Sequence, residues 1–429
     1  MVMESGDGDA MESFPGLGEE DFPGFPADMC PLELPSLARH HSTLADTLKD
    51  DPSLYARLRT RETMLGVNLA RCIKVGMDNR GHKMVKGLGM VAGDEACFDV
   101  FHELFDRVIQ RHHSDSPVTG ICDTHPTDLG RHGSKLTAES ADPTGRYIMA
   151  SSMRASRNLS GFRFPPAMSR LERREVERLV AQALVRGAEP GGSEYLPLRG
   201  SQSYIPRPAG MSAEEEAALQ DAGLLFEAPD STWRLCTGAG RHWPHGRGVF
   251  VDGDRTTAVW VNEQEHLRVT STQQGDALQL AFRRVVGKLD AVANDLHRRG
   301  LVEGRCAFAH TARLGFLSSN LANLGTAMHV NMTLRLPRLA QQQDSHWREW
   351  CVVQRVQVRG TSIEAGGAQL PDVFELSNCD RLGVSEVDTV NLVVRVASQL
   401  VQAEQRLELG LPVDDMLASI QFGAGPQAP

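Results

Sequence analysis

The sequence predicts an α+β fold, with a small all-helical N-terminal domain followed by a larger domain in which helices flank a mostly antiparallel sheet. First, apolar residues before about residue 113 recur at helical spacing, as in Leu44, Leu48, Leu54 and Leu58. Second, short β-rich runs begin only after residue 145. Third, several of these runs are separated by turns too short for a crossover helix, which favours antiparallel pairing.

Composition divides the chain into five segments. Residues 1–34 are rich in Asp, Glu, Gly and Pro, lack Lys and Arg, and are expected to form a disordered acidic tail. The alternative for this tail is a partner-binding role. The helical domain is assigned to residues 35–120, a polar linker to 121–145, the larger domain to 146–420 and a second tail to 421–429.

Six β-rich or alternating runs in the larger domain are predicted as strands. Asp252–Gly253 lies in the middle of one of them and indicates a hairpin turn. The runs are Arg146–Arg154, Val249–Val261, His266–Thr272, Met328–Leu336, Cys351–Val358 and Asp372–Leu376.

Helices are predicted between these strands, from two capping boxes and two long amphipathic stretches that end at glycine. The capping boxes are Ser169-x-x-Glu172 and Ser212-x-x-Glu215, and the stretches are Ala277–Arg299 and Ser385–Leu409, followed by Gly300 and Gly410.

Charge and hydropathy exclude several classes of function. A net charge of −10 and a pI of about 5.9 argue against non-specific nucleic-acid binding, which needs a basic surface. No apolar run approaches the roughly 18 residues that a membrane span requires. The N-terminal segment has neither the basic and apolar regions of a signal peptide nor the arginines of a mitochondrial presequence, so a cytoplasmic protein is expected.

Cysteine and histidine patterns predict no disulfide framework and no metal site. The 8 cysteines are scattered without a CxxC motif and are expected to be free thiols. The pairs His40–His41 and His112–His113 lack further ligands at a fixed spacing.

The residues alone indicate a possible anion site. The stretch Trp260–Arg268 is polar and directly follows a β-run, which fits either a solvated turn or a functional loop. Single arginines at strand ends are most often surface residues, but converging guanidinium groups would bind a polyphosphate. The candidate arginines are Arg154, Arg268, Arg359 and Arg381.

Six motifs, in order between Leu37 and Ile420, resemble those of the ATP:guanidino phosphotransferase (phosphagen kinase) family, most of all the creatine kinases. The resemblance implies the predicted two-domain fold, MgATP or MgADP as cofactor, a guanidino small molecule such as creatine as substrate, and a homodimer. The motifs are Gly76–His82, Val91–Glu95, Trp260–Arg268, Asn323–Thr326, Arg359–Thr361 and Ser377–Gly383.

The resemblance assigns nucleotide-binding positions, some of which are substituted here. Arg154, Arg268, Arg359 and Arg381 match arginines that bind the phosphates. The family has arginine where this chain has Ser152, His329 and His112, and Gly223 replaces a histidine that stacks on adenine.

Two catalytic positions are substituted as well. Gln264 stands where the family has its catalytic glutamate, and Asn320 stands where it has a reactive cysteine, whereas Glu263 is retained. The resemblance places Val85, Leu88 and Glu364 at the substrate-binding positions, and arginine kinases also carry a glutamate at the last of these.

These substitutions predict strongly impaired phosphotransfer. Loss of a general base lowers a rate by roughly 10² to 10⁴. Loss of one preorganised donor to developing charge costs about 2.7–4 kcal/mol, although losses within one site are not additive. The alternatives are a fully active kinase with an altered guanidino substrate and a non-catalytic pseudokinase that acts as a binding or regulatory scaffold.

Overall fold

A computed structural model describes the fold of most of the chain. The described residues are 14–113, 124–130, 136, 140–188, 191–302, 304–342, 347–362, 369–413 and 416.

The N-terminal domain is helical, as predicted. Its first and third helices start at side-chain caps, because Ser42 Oγ accepts a hydrogen bond from the Ala45 amide and Asn68 Oδ1 accepts one from Arg71. The predicted apolar positions Leu44, Leu48, Leu54 and Leu58 are fully buried in one cluster. The helices are α1 (Thr43–Asp50), α2 (Ser53–Leu58), α3 (Leu69–Asp78), α4 (Cys97–Val100) and α5 (His102–His112).

The larger domain is built on an eight-stranded antiparallel sheet, which confirms the predicted fold class. The strands are β1 (Ile148–Arg157), β2 (Glu194–Pro197), β3 (Gly248–Val251), β4 (Thr257–Val261), β5 (Leu267–Gln274), β6 (His310–Thr311), β7 (Gly315–Phe316), β8 (Met328–Arg335), β9 (Val356–Ser362) and β10 (Gln369–Asn378). Their order in the large sheet is β2-β3-β4-β5-β1-β8-β10-β9, and a separate two-stranded sheet pairs β6 with β7.

Helices cover one face of the large sheet. Helix α9 (Leu278–Arg298) contacts β1 and β5, and helix α12 (Glu386–Glu408) contacts β8 and β10. Both predicted capping boxes form, and Gly300 and Gly410 follow the two long helices with φ of 67° and 70°. The helices are α6 (Arg170–Arg186), α7 (Ala213–Asp221), α8 (Thr232–Cys236), α9 (Leu278–Arg298), α10 (Pro337–Gln341), α11 (Trp347–Val353) and α12 (Glu386–Glu408), with a 3₁₀ turn at Leu321–Asn323.

The prediction of a strand over Cys351–Val358 was wrong in its first part. Residues up to Val353 belong to helix α11, and strand β9 begins only at Val356. The buried side chains Trp347, Trp350 and Cys351 have the i, i+3, i+4 spacing of a helix face, which outweighs the β-branched residues that follow them.

The prediction of disorder does not hold for residues 14–34. These residues form no regular helix or strand, but they pack on the folded chain, with Phe25 and Cys30 buried. Lys74 Nζ donates to the Phe25 carbonyl at 2.6 Å, and Tyr55 Oη donates to the Pro31 carbonyl at 2.8 Å. Apolar side chains within an acidic segment therefore provide a docking surface that composition alone does not show. Residues 1–13 lie outside the described residues.

The end of the predicted linker is anchored to the sheet. The Asp142 carboxylate accepts hydrogen bonds from the amides of Tyr147 and Ile148 at 2.6 and 2.9 Å, where β1 begins. The other domain boundaries stay predictions.

Within the described ranges, no helix has the length and apolar character that crossing a membrane would need. The cysteines described there, Cys30, Cys72, Cys97, Cys236, Cys306, Cys351 and Cys379, are free. The same part of the chain contains no cluster of three or more potential metal ligands.

Candidate active site: an arginine-lined sheet face and an adjoining cavity

The face of the large sheet opposite the helices is polar and partly open. Along β1 and β8, buried apolar residues such as Met153 and Val330 alternate with more accessible residues such as Arg154 and His329. The buried set faces α9 and α12. Side chains two residues apart in a strand share a face, so Ser152 and Arg154 both lie on the open face.

The strand register brings the predicted nucleotide-binding residues of four strands to this open face. Arg154 on β1 is directly opposite His329 on β8, and Arg268 on β5 is opposite a residue two positions further along β1. Arg359 on β9 is opposite Glu375 on β10. Antiparallel partners point to the same side of the sheet, so these side chains form one surface, which we call the arginine face.

Arg381 joins the arginine face from the loop after β10. Its Nε donates to the Met328 carbonyl at 3.1 Å, and its terminal nitrogen lies 3.3 Å from His329 Nδ1. Arginine has no acceptor atom, so the histidine nitrogen accepts this hydrogen bond and carries no proton.

The electrostatics of the arginine face favour a bound anion. Burial and the positive charges of Arg268 and Arg381 lower the pKa of Arg154. Burial, together with Arg154, Arg381 and Arg359, lowers the pKa of His329 to about 3, so this imidazole is neutral at pH 7. A negatively charged ligand would relieve the repulsion between these groups.

Glu375 is a residue of this face that sequence reasoning missed. Its carboxylate accepts a hydrogen bond from Asn331 Nδ2 at 2.5 Å and counteracts the lowered pKa of Arg154. The available signal was a glutamate at an alternate position within the predicted strand Asp372–Leu376. That signal identifies a neighbour of the arginines only when the pairing of β10 with β8 and β9 is known.

The polar loop after β4 is held rigidly by buried hydrogen bonds. Asn262 has a φ of 56°, and its Nδ2 donates to the carbonyls of Arg173 and Gly246 at 2.9 and 2.7 Å. Glu265 is buried and accepts hydrogen bonds from Ser319 through both its amide and its hydroxyl, each at 2.9 Å. These contacts fix the positions of Glu263 and Gln264.

Gln264 and Glu263 contact the arginine face through one arginine. Gln264 Oε1 accepts a hydrogen bond from Arg268 at 2.9 Å. A Glu263 carboxylate oxygen lies 3.1 Å from Arg268, and the other lies 3.8 Å from Arg234. Glu263 is only 7% exposed, so its charge is balanced mainly by these two arginines.

A cavity of about 230 Å³ lies next to this loop, between the two domains. Its apolar wall includes Leu88, Val91, Pro165, Pro166 and Trp233. Its polar wall includes Lys86, His112, Glu263, Gln264 and Asn320.

Asn320 is held at the cavity by a local cap. Its Oδ1 accepts a hydrogen bond from the Ala322 amide at 3.1 Å, at the start of the 3₁₀ turn. The adjacent His112 ends helix α5, and burial with the nearby His113 and Arg381 lowers its pKa to about 4.

The structure does not bring every predicted site residue to the cavity. Leu88 lines it, but the Val85 side chain is 73% exposed and is not part of its wall. Gly223 follows α7 with a φ of 65°, and a Cβ there would meet no atom within 4 Å. Glu364 lies outside the described residues.

The structure thus places an arginine-lined sheet face beside a small, partly open cavity in an α+β protein. Comparison with known proteins identifies the class further. Residues 38–110 match the model of the ATP:guanido phosphotransferase N-terminal domain, and residues 176–407 match that of its C-terminal catalytic domain.

Individual relatives agree with these matches. The chain is 36% identical to creatine kinase M-type of Gallus gallus over 388 residues, covering 90% of this chain and 94% of that protein. Creatine kinase M-type of Tetronarce californica is 35% identical with the same coverage.

Solved structures show the same fold. A lombricine kinase structure superposes with a TM-score of 0.78 and 31% identity, covering 90% of this chain and 98% of that one. The duplicated taurocyamine kinase of Schistosoma mansoni gives 0.71 and 27%, covering 87% of this chain and 48% of that one.

The chain therefore belongs to the ATP:guanido phosphotransferase family, whose members use MgATP or MgADP. The residues present fit the polyphosphate of such a nucleotide. Arg268 and Arg381 lie close enough to Arg154 that their charges, together with burial, lower its pKa, and Glu375 is the carboxylate that opposes this effect most.

Proposed function

We propose that this protein binds MgADP or MgATP on the arginine face and has strongly impaired transfer of phosphate to a guanidino substrate such as creatine. The observation that carries the proposal is the carboxamide of Gln264, which lines the cavity and contacts Arg268 through its oxygen. A carboxamide has no basic site that could take a proton from a substrate at neutral pH.

Arg154, Arg268, Arg359 and Arg381 would hold the phosphates of the nucleotide, because guanidinium groups match phosphate oxygens in charge and geometry. The bound nucleotide supplies the phosphoryl group, and its Mg²⁺ would be held mainly by the phosphates and water. Ser152 and His329 weaken this face. A serine hydroxyl carries no charge, and His329 is neutral with its Nδ1 occupied by Arg381.

Glu263 is the observation that favours a second candidate function, an active kinase with an altered guanidino substrate. Its carboxylate lines the same cavity and is the nearest group along the chain that could replace Gln264 as a base. However, Arg268 and Arg234 both lie within 4 Å of this carboxylate. The Glu263 carboxylate is therefore already engaged by two arginines rather than free to contact a substrate, so we favour the impaired function.

Calorimetric titration with MgADP and MgATP tests the nucleotide site without a choice of guanidino substrate. We expect binding at micromolar to submillimolar concentration, and at least about tenfold weaker binding after Arg154→Ala, a loss of about 1.4 kcal/mol. Arg298→Ala is the matched control, because Arg298 is exposed at the end of α9 and its partner Asp295 also contacts Arg186 and Arg299. No heat at millimolar nucleotide would contradict the proposal and leave a scaffold function.

A turnover assay with creatine, arginine and related guanidino acceptors then separates the two candidate functions. The impaired function predicts rates many orders of magnitude below those of a family member that retains all its catalytic residues. Rates in the usual range of about 1–100 s⁻¹ for kinases would support the active kinase instead.

We further propose a cytoplasmic homodimer, as the resemblance to creatine kinases implies. Light scattering coupled to size-exclusion chromatography tests the dimer, and a molar mass near the 47.0 kDa of one chain would contradict it.

A further inference from the structure

Two carboxamides occupy the polar wall of the cavity, and the orientation of each follows from its hydrogen-bond partner. The Gln264 oxygen must face Arg268 and the Asn320 oxygen must face the Ala322 amide, because both partners are donors. The NH₂ groups of Gln264 and Asn320 therefore point away from these partners. Neither NH₂ group has a hydrogen-bond partner among the described residues.

A guanidinium ion matches the Glu263 carboxylate of this wall but not its two NH₂ groups. It has five N–H donors and no acceptor, so it would place donors against the two NH₂ groups. The NH₂ groups would then face ligand donors in place of water, and a donor that loses its hydrogen bond to water without a replacement weakens binding. Lys86 also lines the cavity, and its ammonium is paired with the Asp46 carboxylate at 2.7 Å.

A carboxylate ligand meets the opposite obstacle. It would accept hydrogen bonds from both NH₂ groups, but it would also lie near the buried carboxylate of Glu263 in a cavity with a largely apolar wall. Like charges in such surroundings repel strongly. The best match is an uncharged planar group that has an oxygen acceptor for the NH₂ groups and N–H donors for Glu263.

We propose that this cavity binds a ureido group, the uncharged oxygen analogue of a guanidino group. The C=O of the ureido group accepts hydrogen bonds from Gln264 and Asn320, and its N–H groups face Glu263. The apolar wall formed by Leu88, Val91 and Trp233 covers the rest of a small ligand. The inference rests on the proposed function only in placing the small-molecule site next to the nucleotide site.

Calorimetry with two matched pairs of probes tests this proposal. Ureidoacetate and guanidinoacetate differ only in the oxygen or the protonated nitrogen of the planar group, as do citrulline and arginine. Each probe is titrated into the full-length protein, with and without saturating MgADP. We expect each ureido compound to bind at least about tenfold more tightly than its guanidino partner.

Two variants connect the preference to the carboxamides. Gln264→Glu restores an anionic acceptor and should reverse the preference in favour of guanidinoacetate. Asn320→Ala removes one NH₂ donor and should weaken ureidoacetate by about tenfold, with no more than a twofold change in MgADP affinity. Gln220→Glu makes the same chemical change as Gln264→Glu, at an exposed position of α7 away from the cavity. It should not change the relative affinities for ureidoacetate and guanidinoacetate.

Equal or tighter binding of the guanidino compounds would overturn the proposal, and so would binding of neither class to protein that binds MgADP. If the proposed nucleotide site is wrong, the protein will not bind MgADP, and that result is measured independently of the ureido and guanidino titrations. In that case the titrations without nucleotide still decide whether the cavity prefers a ureido group.

Discussion

The pKa of His329 depends on burial and on the charged groups around its side chain. Burial and three arginines, Arg154, Arg381 and Arg359, lower its pKa from 6.5 to about 3 in the folded protein. Between these two values the unfolded chain binds the proton and the folded protein does not. Stability therefore rises with pH across this window, and acid favours unfolding.

His329→Gln should reduce the acid sensitivity of folding. We expect the free energy of unfolding to change less steeply between pH 4 and pH 6.5, by at most about 1.4 kcal/mol per pH unit, because the variant has one fewer group that gains a proton on unfolding. Urea denaturation at several pH values measures this slope. An unchanged slope in His329→Gln would contradict the assignment.

Restoring the two catalytic positions together should not restore turnover. The double variant Gln264→Glu, Asn320→Cys regains an acidic side chain and a thiol. Ser152, His112 and His329 still provide none of the arginine charge that the family has there, so we expect creatine and arginine phosphorylation to stay at least about 10²-fold below a typical kinase rate. A coupled ADP-release assay measures this rate, and turnover above that limit would show that the base and thiol are the main defect.

Two helices of the larger domain begin with the same capping box but differ in how much they bury. Helix α6 buries Val176, Leu179 and Val180 against the core, whereas α7 buries only Leu219. Loss of a cap allows the first turn of the helix to unfold. The loss of protein stability therefore depends on how much packed surface that unfolding exposes.

Ser169→Ala should therefore lower the free energy of unfolding by about 1 kcal/mol, and Ser212→Ala by less. The two substitutions make the same chemical change at the same position of a capping box, so each is a control for the other. Denaturant titration of both variants gives the comparison. A larger loss from Ser212→Ala would show that α7 contributes more to global stability than its burial suggests.

Helices and strands could be predicted from the sequence wherever residues within or directly next to the element determine its type. The capping boxes, Gly300 and Gly410 predicted helix ends because each acts within one turn of its helix. The strand prediction at Cys351 failed because a short apolar run fits the periodicity of both a helix and a strand. The burial of Trp347 and Trp350, which is seen only in the folded structure, favours the helix.

The candidate site was predicted less completely, for a related reason. The family resemblance gave the residue types of the phosphate site, but the role of Glu375 depends on which strands are neighbours. The orientation of the Gln264 and Asn320 amides depends on hydrogen bonds to Arg268 and Ala322, which are near in sequence but come within reach only through the loop and turn geometry of the folded chain. Pairing and hydrogen-bond direction are properties of the folded chain.

At the scale of the whole molecule, residues 14–34 connect the two domains. Asp21 forms an ion pair with Arg71 of the helical domain and lies 3.8 Å from Arg241 of the larger domain. Phe25 and Cys30 add apolar contacts to the helical core. The segment therefore contributes to the stability of the assembled fold.

Phe25→Ala should release this segment. We expect a loss of about 2 kcal/mol in the free energy of unfolding, in line with burial of one large apolar side chain, and faster cleavage of residues 14–34 by protease. Met29→Ala is the matched control, because the Met29 side chain in the same segment is 72% exposed. Thermal unfolding and limited proteolysis measure both effects, and equal behaviour of the two variants would contradict a docked segment.

The arginine face has a further consequence for how the protein behaves on a column. A chain with a net charge of −10 should be retained by an anion exchanger at neutral pH. The same chain presents arginines from three strands and one loop on a single surface, so it should also adhere to a phosphocellulose or sulfonated-dye resin, in an orientation fixed by that surface. Retention on two resins of opposite charge, with release from the second by free pyrophosphate, would make the uneven distribution of charge visible during purification.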